Sequence, residues 1–192
     1  MEIHTLTQLS YMTGSVKDID NEKLAQFCIS EGVRVSDDPL GSKFEDLRIP
    51  SNEEWNKVFA NIQIQYMENF KSRLELTEHW SQIHKKYEST NMHNHHVPET
   101  LSRNDVGLSG VYYVQIPKNS GRLVFEYNIN QFQNYLSWIE PVVGNFIIFP
   151  STLNHYVTKN LGDECRVSIS FNVINVPLKV FDTDEILPKP EK

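Results

Sequence analysis

Helical patterning in the first third of the chain is followed by a run of short segments with period two, and this order predicts an α+β, mainly β fold. Six or more short strands separated by turn signals point to a jelly roll or barrel, with the N-terminal helices packed on one sheet. At 192 residues the simplest organisation is one domain, 1–192, large enough to bury a core without staples. Within it, 1–77 reads as a helical support region, 78–176 as the strand-rich core, and 177–192 as a proline-bearing tail that wraps the surface or frays.

Asp20 or Asn21 can cap a short helix through EKLAQFCISEG, which Gly32 ends. The stretch VRVSDDPLGSKFEDLRIP reads as loop, broken by Pro39, Gly41 and Pro50. Ser51 is placed to cap the next helix, with Glu54 in the capping-box position. Trp55, Val58, Phe59, Ile62, Tyr66 and Phe70 then form one apolar stripe, suited to lie on a sheet. Near residue 78 the period changes. HWSQIHKKY, LSGVYYVQI, GRLVFEY, GNFIIF, HYVTKN and CRVSISFNVI read as strands, and PKNSG, EPVVG, PSTLN and NLGDE as the turns between them.

Composition excludes several classes of function. Two cysteines, Cys28 and Cys165, are too few for a disulfide framework and fit a reducing compartment. No apolar run is long enough to span a membrane, and the N-terminus lacks the basic-then-apolar signature of a signal peptide, so a cytoplasmic location is expected. A net charge of −7 argues against nucleic acid and leaves a small molecule or a protein as partner. The helix from Ser51 and the loop VPETLSRNDVGL each offer a face for a homodimer, although no apolar surplus demands one.

Three of the seven histidines fall in the segment Asn91-Met92-His93-Asn94-His95-His96. If it is extended, His93 and His95 share a face, where two imidazoles can bind one divalent ion, and His96 points away. A lone HxH is weak, so a third ligand must come from elsewhere. His155, at a strand start after a Pro-Ser turn, is the downstream histidine. In the following strand Arg166, Ser168 and Ser170 share one face, and Val167, Ile169, Phe171 and Val173 the other. If the apolar face packs on the helices, the polar face carries an arginine into the interior, where an unpaired charge is very costly. Such an arginine needs an anion, a protein carboxylate or a carboxylate ligand held bidentately. A surface pair with Glu164 is the alternative.

The order HxH, SGVYYV, GRLVF, P-x-x-G-x-F-x-x-FPS-x-x-x-H and RVSISFN resembles the 2-oxoglutarate/iron(II)-dependent oxygenases, within them a subgroup of bacterial and phage proteins. The resemblance implies a double-stranded β-helix, the cupin-like jelly roll, with helices outside one sheet. It implies His93, His95 and His155 as iron ligands. It further implies that Arg166, assisted by Ser168, binds the distal carboxylate of the cosubstrate 2-oxoglutarate, with Tyr113 on that same group. The family usually has a carboxylate in the middle metal position. His95 stands there in this chain, and Glu99, Asp105 or His96 are the other contenders. The implied activity is an O2-consuming hydroxylation of a protein side chain or small molecule with release of succinate and CO2, ascorbate being an accessory reductant. For a phage-encoded protein the location becomes the host cytoplasm. A cupin-like three-histidine metal protein, or a sugar-binding jelly roll that does not use 2-oxoglutarate, is the competing reading; a structural protein with incidental histidines ranks behind both.

Overall fold

The computed structural model describes residues 10–34, 45–95, 107–130 and 132–178. Among them, strand β1 (Met12–Ser15) leads into helix α1 (Asn21–Glu31), then β2 (Val33–Arg34), β3 (Glu45–Arg48) and helix α2 (Glu53–Phe70). The remaining strands are β4 (Ser72–His84), β5 (Thr90–His93), β6 (Gly107–Gln115), β7 (Leu123–Asn130), β8 (Gln133–Ile139), β9 (Asn145–Pro150), β10 (Asn154–Val157) and β11 (Arg166–Pro177). They form a seven-stranded sheet in the order β1-β9-β6-β11-β4-β3-β2 and a four-stranded sheet in the order β5-β10-β7-β8. Every strand pairing is antiparallel. The expected jelly roll is the observed fold.

Strand alternation divides the core in two. Tyr112, Val114, Phe146, Ile148, Val167, Ile169, Phe171 and Val173 face the helices, where they pack with Leu24, Cys28, Trp55, Val58 and Ile62. The intervening residues Val111, Tyr113, Ile147 and Phe149 face the other way and meet Leu123, Phe125 and Val157 of the smaller sheet. The helix stripe read from sequence seats on β11, with the Trp55 and Phe59 rings 5.8 and 6.0 Å from Phe171. Phe70, the last residue of that stripe, is exposed. Gly110 is required opposite Phe171, because a Cβ there would lie 2.2 Å from the ring.

Several local expectations are corrected. Residues 33–50 are not all loop: β2 and β3 pair with each other, and β3 adds to the edge of β4. Strand character begins at Ser72 rather than near residue 78, and β1 already lies before the first helix. The cap of α2 is Asn52, whose Oδ1 accepts from the backbone N–H groups of Glu54 and Trp55. Ser51 instead accepts from the Asn56 side chain. Glu54 does not close a capping box; its buried carboxylate accepts from the Asp20 backbone N–H and from Lys57. Asp20 caps α1 by accepting from Lys23, and Gly32 ends that helix in an extended conformation. β11 runs through Pro177, into the region expected as tail, and Leu178 bonds Lys71; residues 179–192 lie outside the described residues.

Candidate metal centre

β5 and β10 place the histidines by register. His93, the last residue of β5, lies directly across from His155 in β10, with ring centroids 4.3 Å apart. His95 follows just past the strand end, where its backbone N–H donates to the Ser151 carbonyl at 2.8 Å. Its ring lies 5.2 Å from each of the other two. One ligand nitrogen from each histidine falls within 4.8 Å of the others, a grouping that could hold a metal ion.

The second ring nitrogens explain how the rings are aimed. Nδ1 of His93 is 2.9 Å from the Asn91 carbonyl, and Nδ1 of His155 is 2.8 Å from the Leu153 carbonyl. Nδ1 of His95 is 2.6 Å from Asn172 Oδ1. Oxygen acceptors at all three positions put the proton on Nδ1 and leave Nε2 as the lone-pair nitrogen, the usual arrangement around a metal. Burial, aided by the neighbouring His93, pulls the His155 pKa down to about 3. His95 is also lowered, by burial against the opposing hydrogen bond to Asn172. Neutral imidazoles are the form that ligates. Phe149 packs on His155 at 4.9 Å, and Phe125 at 6.4 Å, so the wall behind this ring is aromatic.

The same cavity is also lined by Arg166, 1% exposed. Its Nη1 donates to Ser168 Oγ at 2.9 Å and approaches His84 Nδ1 at 3.4 Å. Its Nε has no partner among the described residues, and its guanidinium carbon lies 5.6 Å from the centre of the Tyr113 ring. The Tyr113 hydroxyl is likewise buried without a partner. Burial lowers the Arg166 pKa and raises that of Tyr113 to about 12. The ion pair with Glu164 is not made: Glu164 is exposed while Arg166 is buried. His84, driven well below its usual pKa by burial and by the charge of Arg166, is a neutral neighbour whose Nε2 bonds Thr90 Oγ1 at 2.8 Å. A buried guanidinium and a buried phenol, both with unused donors, fit one end of a dicarboxylate. Three imidazoles at the other end fit a divalent transition metal.

Sequence reasoning placed His93, His95, His155, Arg166, Ser168, Ser170 and Tyr113 in this interior, and all are there. His96, Glu99 and Asp105 lie outside the described residues. It missed His84, Trp80 and Asn172, and gave no role to Ser109, which shares the inward strand face of Tyr113. Trp80 stands 5.6 Å from the His95 ring. Asn172 continues the Arg166-Ser168-Ser170 face by one more alternation, which was a usable signal.

The family model described as "Putative 2OG-Fe(II) oxygenase" matches residues 78–172, a span holding all three histidines and Arg166. No curated protein matches the sequence. Among solved structures, a Pseudomonas putida prolyl-4-hydroxylase is similar at 13% identity and TM-score 0.57, over 89% of this chain and 94% of that one. A viral collagen prolyl hydroxylase from Paramecium bursaria Chlorella virus-1, in complex with 2-oxoglutarate, is similar at 13% identity and TM-score 0.60, over 86% and 96%. The non-heme α-ketoglutarate-dependent epimerase SnoN from nogalamycin biosynthesis is similar at 14% identity and TM-score 0.64, over 96% and 87%. At these identities the structures show the shared jelly roll, while the family match covers the residues of the site. The chain belongs to the 2OG-Fe(II) oxygenase family and is an oxygenase that uses iron(II) and 2-oxoglutarate.

Proposed function

We propose that His93, His95 and His155 hold the iron on one face, that Arg166, Ser168 and Tyr113 bind the distal carboxylate of 2-oxoglutarate, and that the enzyme hydroxylates a protein side chain or a small molecule. The supporting observation is that the three-histidine cluster and the buried Arg166, which meets no carboxylate among the described residues, line one interior cavity. Iron and 2-oxoglutarate, when bound, supply the oxidising chemistry: one oxygen atom of O2 enters the substrate and the other the succinate formed as CO2 leaves. The protein's part is positional and electrostatic. Three neutral imidazoles leave the metal's charge intact, and an anionic cosubstrate offsets it. Arg166 Nε and the Tyr113 hydroxyl have no other partner among the described residues, so they favour the end of the diacid over water. Phe125 and Phe149 keep one side of the metal site apolar, which limits turnover uncoupled from substrate.

For substrate class the fold alone is neutral. Prolyl hydroxylases among the similar structures support a polypeptide first, and SnoN supports a small molecule. Cytoplasmic placement rests on the cysteine count, two in 192 residues and too few for a disulfide framework, with Cys28 buried and its pKa raised to about 12. No helix among the described residues is long and apolar enough to cross a membrane. The test is 2-oxoglutarate-dependent succinate release with iron(II) and ascorbate. It should vanish in His155→Ala and show a strongly raised requirement for 2-oxoglutarate in Arg166→Ala. Turnover that ignores 2-oxoglutarate concentration in Arg166→Ala would favour the cosubstrate-independent cupin-like reading.

A further inference from the structure

The three histidines are not held alike. His93 and His155 are fixed locally, each by the carbonyl two residues before it. His95 has no such anchor. Its Nδ1 reaches Asn172, in the middle of the seven-stranded sheet, and Ser109 Oγ at 3.1 Å.

Asn172 sits in one cross-strand row: it pairs with Glu78 of β4 on one side and Ser109 of β6 on the other. A register shift follows immediately, between Asn172 and Val173, and Thr77 Oγ1 donates to the Asn172 carbonyl at 3.0 Å. Such bulges re-aim a side chain. Asparagine is disfavoured inside a strand, so its presence in a central one calls for a use. Here all its polar atoms are engaged with direction. Oδ1 accepts from His95 Nδ1 and from Ser109 Oγ at 2.8 Å, while Nδ2 donates to Glu78 Oε1 at 2.6 Å. Ser109 also reaches Ser151 Oγ at 3.0 Å, and the Ser151 carbonyl holds the His95 backbone. An amide can face a carboxylate with a donor and an imidazole N–H with an acceptor, and its two ends are chemically distinct.

We propose that Asn172 is the positioning residue for the middle metal ligand, and that Glu78 fixes which end of its amide faces His95. This rests on the reading of His95 as a ligand. In place of the carboxylate usual at that position, the chain uses a histidine oriented through an amide by a glutamate at the mouth of the sheet. Glu78 is exposed, so the effect is one of orientation more than of charge. Losing such a partner commonly costs 10–100-fold in metal affinity.

The test uses the full chain titrated with Co(II), reading the dissociation constant and the visible d–d spectrum, with thermal unfolding of the metal-free protein as control. His95→Ala must weaken Co(II) binding and change the spectrum; if it does neither, the ligand reading itself fails. With that satisfied, Asn172→Leu should weaken binding about 10–100-fold and alter the spectrum. Asn172→Asp should also weaken it, since two carboxylates then face each other. The double variant Asn172→Asp/Glu78→Gln should recover affinity and spectrum, because the new glutamine amide donates to the new aspartate, which still accepts from His95. Wild-type binding and spectrum in Asn172→Leu, or a double variant no better than Asn172→Asp alone, would overturn the proposal. If Asn172→Leu fails to fold, the comparison of the aspartate single and double variants decides.

Discussion

Replacing Arg166 separates the needs of the ligand from those of the fold. The side chain is buried, and among the described residues it makes short polar contact with Ser168 and His84 only, with its Nε unsatisfied. In a structural ion pair, removing the arginine would strand a buried carboxylate and cost several kcal/mol. Here the arginine is itself the uncompensated group. Arg166→Met trades a desolvated charge for a flexible apolar chain of similar reach and leaves two neutral acceptors behind. Those two lost hydrogen bonds are worth about 1 kcal/mol each, against an unsatisfied buried donor that costs about 1–3 kcal/mol. The ligand-free variant is therefore expected within about 1 kcal/mol of wild type, or above it. An equally buried apolar truncation, Leu24→Ala, should cost about 2–5 kcal/mol. Ligand inverts the ranking. At a hundred times its Kd, 2-oxoglutarate stabilises by about 2.7 kcal/mol. At about 2–4 °C per kcal/mol for a chain of this size, that raises Tm by about 5–10 °C. Differential scanning fluorimetry with Mn(II), with and without 2-oxoglutarate, should show this rise in wild type and Leu24→Ala and its loss in Arg166→Met. A ligand-free Arg166→Met that melts as early as Leu24→Ala, or that keeps the full shift, would refute the reasoning.

Acid should destabilise the metal-free protein through its histidines. His155 has a folded pKa of about 3 against a usual 6.5, so the unfolded chain takes up the proton first as pH falls. Its contribution is therefore present above pH 6.5 and is lost progressively toward pH 3, with His95 acting in the same direction. Urea midpoints measured between pH 7.5 and 5 should fall in wild type and fall less in His155→Gln. At the start of α2, Asn52→Ala should cost about 1 kcal/mol by chemical denaturation, whereas Ser51→Ala should stay within about 0.5 kcal/mol. The reverse order would restore Ser51 as the cap. Gly110→Ala should lower stability by about 1–3 kcal/mol, since its methyl meets the Phe171 ring, and an unchanged denaturation midpoint would show that the ring moves aside freely.

What the sequence revealed depended on whether a residue's constraint was local. β6, β9 and β11 are buried on both faces but alternate between helix-facing and cavity-facing sides, and in β11 that alternation read directly as Arg166-Ser168-Ser170 against Val167-Ile169-Phe171. β1 and β2 are short edge strands and β3 a short strand next to the edge, and two to four residues carry too little periodicity to stand out from loop. β8 passed unnoticed because QNYLSWI does not alternate: its apolar residues come as the pairs Tyr135-Leu136 and Trp138-Ile139, of which Leu136 and Trp138 are exposed. Ser51 and Asn52 are adjacent cap formers, and only backbone geometry chooses between them. The candidate metal site was legible as an HxH plus a distal histidine. Its supports were not. Asn172 and Ser109 reach His95, and Glu78 holds Asn172, from three different strands, and one sequence does not show which strands lie side by side.

The most direct test of the central claim is an anaerobic crystal structure of the full chain with iron(II) and 2-oxoglutarate. The predicted result is iron on Nε2 of His93, His95 and His155, with the distal carboxylate of 2-oxoglutarate taking up the free donors of Arg166 and Tyr113. A carboxylate such as Glu99 or Asp105 in the place of His95, or a cosubstrate whose distal end lies away from Arg166, would contradict it.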